Sequence, residues 1–179
     1  MLNRKKAVLI VIDVQGKLHG MMHEKENLDA NLERMIRCAK LLDVPLVGTE
    51  QIPEKLGATN EPFKSLLTDV PMIEKTTFSC YGNSGFVEAF KTTRRKQAIL
   101  IGIEAHVCVY QTAMDLLEDG IEVFIIADAV SSRTSGNKQL AIQAMRDAGA
   151  EILPAETALL ILLRDAADPH FKELLKLIK

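Results

Sequence analysis

The chain has 179 residues, of which 47% are apolar and 26% charged, and a formal charge of −2 at pH 7. That length fits a single domain, residues 1–179, which buries roughly 70% of its unfolded surface and can hold a core with a recessed site without disulfide support. Without a basic stripe or polybasic tail, nucleic acid is not an expected partner, and no stretch approaches the ~18 consecutive apolar residues of a membrane span.

The start, MLNRKK, is basic, but the apolar run AVLIVI after it is too short for a secretory core and leads straight into DVQ, so residues 7–12 read as a first strand. Residues 28–42 carry Leu28, Leu32, Met35, Ile36, Ala39 and Leu42 on one helical face. A second strand, 45–49, leads into residues 50–70, where Pro53, Gly57 and Pro62 interrupt any period. A loop this long in a compact domain is often functional. A strand at 71–74 and another at 98–103 precede a helix at 106–118 with Val107, Tyr110, Met114 and Leu117 on one side. Residues 121–127 form a fifth strand, 131–137 a polar loop, and GNKQLAIQAMRDAGA a helix stopped by Gly149 before a last strand at 150–153. The tail reads as two helical pieces split at Asp168-Pro169, the first apolar nearly all round. That first piece is a core helix or, through Ala158–Leu163, a subunit contact.

Most of these strands are apolar throughout rather than alternating, which marks burial on both faces in a parallel sheet. The expected fold is α/β, a three-layer α/β/α sandwich around a mostly parallel six-stranded sheet, Rossmann-like in architecture. Cys38, Cys80 and Cys108 are odd in number, far apart and form no CxxC pair. They suit free thiols in a reducing cytoplasm better than a disulfide scaffold or a zinc site.

Open parallel sheets bind ligands beyond the carboxyl ends of their strands. There the chain presents Asp13 after the first strand, Lys75 after the third and Cys108 in the turn after the fourth. Singly, an aspartate caps a turn, a lysine is solvated and a cysteine packs. Together they supply a proton acceptor, an ammonium and a nucleophile at one rim. A helix N-terminus and Lys75 favour the Cys108 thiolate, whereas Asp13 opposes it and acts as the group that takes and returns the proton. Backbone N–H groups in the 104–108 turn stand ready for an oxyanion.

IDVQ, EKTTFS and the long block GIEAHVCVYQTAMDLLEDGIEVFIIADAVSSR resemble the isochorismatase-like cysteine hydrolases over roughly residues 5–175. TEQIPEKLGAT and DPHFKELLKLIK resemble the branch of isochorismatase domain-containing proteins. The resemblance implies a triad of Asp13, Lys75 and Cys108, a non-proline cis peptide between Ile103 and Glu104, and an oxyanion hole made by the N–H groups of Glu104 and Cys108. It also implies a homo-oligomer. Isochorismatases proper lack the cysteine, so Cys108 points to C–N hydrolysis of a small-molecule amide, ureide or carbamoyl compound. The metal-binding Asp-x-His of the family's nicotinamidases has no counterpart in GTEQIPEKLG, so neither a metal nor an organic cofactor is expected. Gln15, Gln51 and Phe78 are candidates for the substrate pocket.

His19 and His23, four apart, suggest two metal ligands or two pocket-wall histidines, with no third ligand evident nearby. His106 lies two residues from Cys108, a spacing that rarely lets helical side chains meet. Two other functions stay open: a non-catalytic small-molecule or protein-binding member of the same fold, and a phosphate-handling protein. Against the latter, no GxGxxG or GxxxxGK[ST] occurs and Gln15 stands where a second acid is expected.

Overall fold

The computed structural model describes residues 1–178. Six strands, β1 (Ala7–Ile12), β2 (Leu46–Gln51), β3 (Met72–Lys75), β4 (Gln97–Ile103), β5 (Glu122–Ser131) and β6 (Glu151–Leu153), form one sheet in the order β3-β2-β1-β4-β5-β6. Every pairing is parallel. All residues of β1 and β4 are buried, as their unbroken apolar runs require.

Side chains of β1 alternate between two cores. Ala7, Leu9 and Val11 join α2 (Lys25–Leu41), α8 (Ala155–Leu163) and α9 (Phe171–Ile178) through Leu32, Ile36, Leu159 and Leu174. Val8, Ile10 and Ile12 join α5 (Ser84–Thr92), α6 (Tyr110–Glu118) and α7 (Ser135–Asp147) through Phe86, Leu116 and Met145. The result is an α/β/α sandwich, with the sheet entirely parallel. Most of Ala158–Leu163 faces the core, and Leu160 stays 38% exposed. No helix among the described residues is long and apolar enough to cross a membrane.

Several boundaries differ from the sequence reading. The 50–70 segment holds two one-turn helices, α3 (Pro53–Leu56) and α4 (Phe63–Leu66). Far earlier in the chain, α1 (Gly16–His19) follows β1, and Gly16 lets its backbone pass α3: a Cβ there would lie 1.7 Å from the Leu56 carbonyl oxygen. Helix α5 was not expected. Its signal is present in the sequence as an Asn83 cap, which accepts from the Phe86 N–H at 3.1 Å, followed by Phe86 and Phe90 four apart. Strand β5 runs four residues past the expected end because its pairing with β4 shifts register between Leu100 and Gly102 and resumes at Val130 and Ser131.

Candidate active site

The chain passes from β1 to β2 and β3 on one side and to β4, β5 and β6 on the other. A crevice forms where a parallel sheet reverses its winding, here beyond β1 and β4. Register levels the strand ends: Ile12 pairs with Thr49 and with Gly102, and Gln51 pairs with Lys75. Gly102 is needed for this approach, since a Cβ on it would fall 2.1 Å from the Ile12 carbonyl oxygen.

Asp13 leaves β1 in a left-handed conformation, φ 54°. Its Oδ2 accepts from Lys75 Nζ at 2.8 Å and its Oδ1 from the Thr49 hydroxyl at 2.7 Å. Lys75 also donates to Gln51 Oε1 at 2.6 Å and to the carbonyls of Thr77 and Phe78, each at 3.2 Å. Burial is the largest single influence and disfavours the Lys75 ammonium, but its acidic neighbours, Asp13 foremost and then Cys80 and Cys108, together outweigh it and hold the amine above its ordinary range. Lys75 is therefore charged inside the protein.

Cys108 arrives by a different route. The Ile103–Glu104 peptide is trans rather than cis. The turn is made by Glu104 itself, whose φ and ψ are both 55°. A left-handed residue costs roughly 1–2 kcal/mol, against ~3 for a non-proline cis bond. A π-helical turn, Ala105–Val109, then runs directly into α6 and holds Cys108 at 6% exposure. Thr112 pins that turn, donating to the Cys108 carbonyl at 2.7 Å and accepting from the Cys80 N–H at 2.9 Å.

The Cys108 thiol is pushed well above its ordinary range, first by burial and next by the negative charge of Asp13. Lys75 pulls the other way and does not prevail, since its charge is already matched by Asp13. The pull expected from the helix start and Lys75 is thus outweighed by burial and by the opposition expected of Asp13.

A cavity of about 280 Å³ opens above these groups and is bordered by Asp13, Glu104, Cys108 and Arg133. Gln15, Gln51 and Phe78 border it as well. The glutamines, however, are structural ties: Gln15 Nε2 donates to the carbonyls of Gln51 and Gly57 at 3.0 and 2.6 Å, and its Oε1 accepts from the Gln51 N–H at 2.6 Å. Phe78 stands at the mouth, 55% exposed. A larger groove of about 450 Å³, between residues 1–5 and the end of α8, contains none of the three rim residues.

The histidine pairings do not form a site. His19 is buried and bound to Asp29 Oδ1 at 2.7 Å and to Asn60 at 3.1 Å, while α1 ends at His19 and His23 lies beyond it. His106 contacts the Ser132 hydroxyl at 2.9 Å. Thr49, Cys80, Thr112 and the Glu104–Arg133 ion pair were missed by sequence reasoning. A signal existed for Thr49: it and Gln51 are polar at i and i+2 and so share one face at the carboxyl end of β2.

The isochorismatase domain matches residues 7–157. The chain belongs to the isochorismatase family. It is 40% identical to the secreted isochorismatase effector Isc1 of Phytophthora sojae (strain P6497), over 97% of this chain and 84% of that protein. It is 36% identical to isochorismatase domain-containing protein 2 of Danio rerio, over 99% of this chain and 89% of the relative. Among solved structures it resembles MAR1 ribonuclease from Caenorhabditis elegans, with a TM-score of 0.93 and 36% identity over 99% of this chain and 91% of that one. The all-parallel sheet and its flanking helices are thus the isochorismatase-like hydrolase fold.

Proposed function

We propose that this isochorismatase-family member is a cysteine hydrolase that cleaves the C–N bond of a small amide, ureido or carbamoyl compound. The observation that carries the reading is one carboxylate, Asp13, bound to a buried ammonium at 2.8 Å and facing the same cavity as the buried Cys108 thiol. A protonated thiol needs a base at the moment of attack, and the Asp13 carboxylate borders the same cavity as the thiol.

In the first half-reaction Asp13 takes the Cys108 proton as sulfur bonds to the substrate carbonyl carbon. Backbone N–H groups of the 104–108 turn receive the oxyanion. Collapse breaks the C–N bond, and the proton on Asp13 leaves with ammonia or the amine, so that a thioester remains. Asp13 then takes a proton from water, hydroxide displaces sulfur, and the proton returns to Cys108 as the acid departs. Lys75 holds Asp13 ionised and oriented throughout. No metal or organic cofactor enters these steps.

Ammonia release from a panel of small amides, ureides and carbamoyl acids tests the proposal, with Cys108→Ala as control and mass spectrometry for a Cys108 acyl adduct. Release that survives in Cys108→Ala would remove the thiol from the mechanism. A non-catalytic binder would give neither release nor adduct. The nematode relative's name raises RNA cleavage as a competing outcome, and a labelled RNA in the same assay decides it. The formal charge of −2 favours the small-molecule reading. Free, buried Cys38, Cys80 and Cys108 support a reducing, cytoplasmic setting, and the half-exposed face of α8 at Leu160 supports a homo-oligomer, which light scattering at micromolar concentration would detect.

A further inference from the structure

We infer that the cavity above Cys108 selects amides whose acyl group is small, uncharged and hydrocarbon. This inference rests on the amide-hydrolase reading and narrows its substrate class.

Most of the polar groups at the cavity are already committed. Both ends of Gln15 are spent on backbone groups. Gln51 accepts from Lys75 at 2.6 Å and donates to the Thr76 carbonyl at 2.9 Å. Lys75 serves Asp13, Gln51 and two carbonyls. Arg133, the cation at the rim, is held by both oxygens of Glu104, at 3.2 and 3.4 Å. A substrate carboxylate reaching for the remaining Arg133 N–H groups would meet the Glu104 carboxylate beside them and a cation whose charge is already matched.

What remains of the wall is hydrocarbon: Leu18, Leu56, Phe78, Ile103 and Val107. Phe78 and Leu56 are 55% and 40% exposed, so apolar surface stands uncovered on this one small cavity. Each is anchored through its backbone. The Phe78 carbonyl accepts from Lys75 at 3.2 Å, and the Leu56 N–H donates to Ile52 at 3.0 Å. An acyl chain lying between them covers that surface, with a gain that scales with the apolar area removed from water. The volume of about 280 Å³ falls just below the usual range of small-molecule sites, about 300–1,000 Å³, so the acyl group is short.

The test compares hexanamide and phenylacetamide with succinamate, an anionic amide of similar length, as substrates of the full chain and as ligands of Cys108→Ala by calorimetry. The inference expects kcat/KM at least tenfold higher for the two apolar amides, and measurable binding of those two alone. Phe78→Ser should shrink the preference several-fold. Glu104→Gln, which keeps the backbone N–H but no longer neutralises Arg133, should shift it toward succinamate. Equal or better handling of succinamate by the unaltered chain, in turnover or in binding to Cys108→Ala, overturns the inference and leaves amide hydrolysis standing. Selective binding of apolar amides with no turnover by the unaltered chain supports the pocket assignment and overturns hydrolysis instead. If neither turnover nor binding is seen with any of the three, both readings fall.

Discussion

Lys75 Nζ lies 2.8 Å from Asp13 Oδ2, with side-chain exposures of 0% and 6%. Each charge is tolerable inside the protein because of the other. Lys75→Met should destabilise the fold by ~3–5 kcal/mol, the usual cost of leaving one member of a buried pair alone. Pairing it with Asp13→Asn should recover much of that loss. Urea denaturation of the two single variants and the double variant measures the coupling. Simple additivity would mean the pair is not a pair energetically.

Removing the Asp13 charge should have opposite effects on labelling and on turnover. Burial and Asp13 both raise the Cys108 thiol, so iodoacetamide should label it slowly at pH 7–8, less readily than an ordinary thiol of pKa ~8.5. Asp13→Asn removes the second cause, lowers the thiol toward its ordinary range and speeds labelling. The same change should cut amide turnover by about 10²–10⁴-fold, the range of a lost general base. Peptide mapping against pH reads Cys108 separately from Cys38 and Cys80. Slower labelling in the variant would assign Asp13 a packing role only.

Thr49 orients the carboxylate from the side opposite Lys75, donating to Asp13 Oδ1 at 2.7 Å. Thr49→Val keeps the shape and deletes the donor. A hydrogen bond to a charged group is worth about 1.5–3 kcal/mol, so the thermal midpoint should fall, and kcat should fall with it while KM changes little. Thr49→Ser should restore both. A KM effect without a kcat effect would place Thr49 in binding instead.

Gly102→Ala tests the spacing of the two strands that frame the crevice. The added Cβ would stand 2.1 Å from the Ile12 carbonyl oxygen, at φ +132°. Backbone must move, so the loss should exceed the ~1 kcal/mol of an ordinary Gly–Ala exchange, and residual activity should vanish even in protein that folds. Circular dichroism during urea titration, together with the ammonia assay, checks both parts.

Buried thiols also set an alkaline limit. Burial is the main cause that raises Cys80 from 9.0 to about 11 and Cys38 from 9.0 to about 12. Folded values above unfolded ones mean a contribution that is whole below pH ~9 and lost as pH climbs toward the folded values. Between pH 9 and 11 stability should therefore fall by about 1.4 kcal/mol per pH unit for each such thiol. Cys38→Val should flatten that slope. A slope unchanged by the substitution would acquit Cys38.

Much of the sheet was legible because a strand buried on both faces must be apolar at every position, as 7–12 and 98–103 are. The carboxyl-end rule nominates Asp13, Lys75 and Cys108; the structure joins the first two at 2.8 Å and puts Cys108 on the cavity that Asp13 borders. Helix α5 escaped because its nine residues show only two apolar anchors, Phe86 and Phe90, and the far part of β5 because a register shift between Leu100 and Gly102 leaves no mark in a local pattern. The expected cis bond failed for a related reason. Whether a turn is made at a peptide bond or at a φ angle depends on what packs around it, and here Glu104 takes the left-handed region.

The amino-acid order by itself determined which chemical groups reach the crevice, since hydrophobic pattern sets strand ends and strand ends set the rim. Only the folded arrangement decided what those groups are like there. Gln15 and Gln51 became struts, Arg133 was matched by Glu104, and Cys108 was left protonated. Charge state and hydrogen-bond commitment depend on burial and on neighbours distant in the chain, and no local run of residues encodes either.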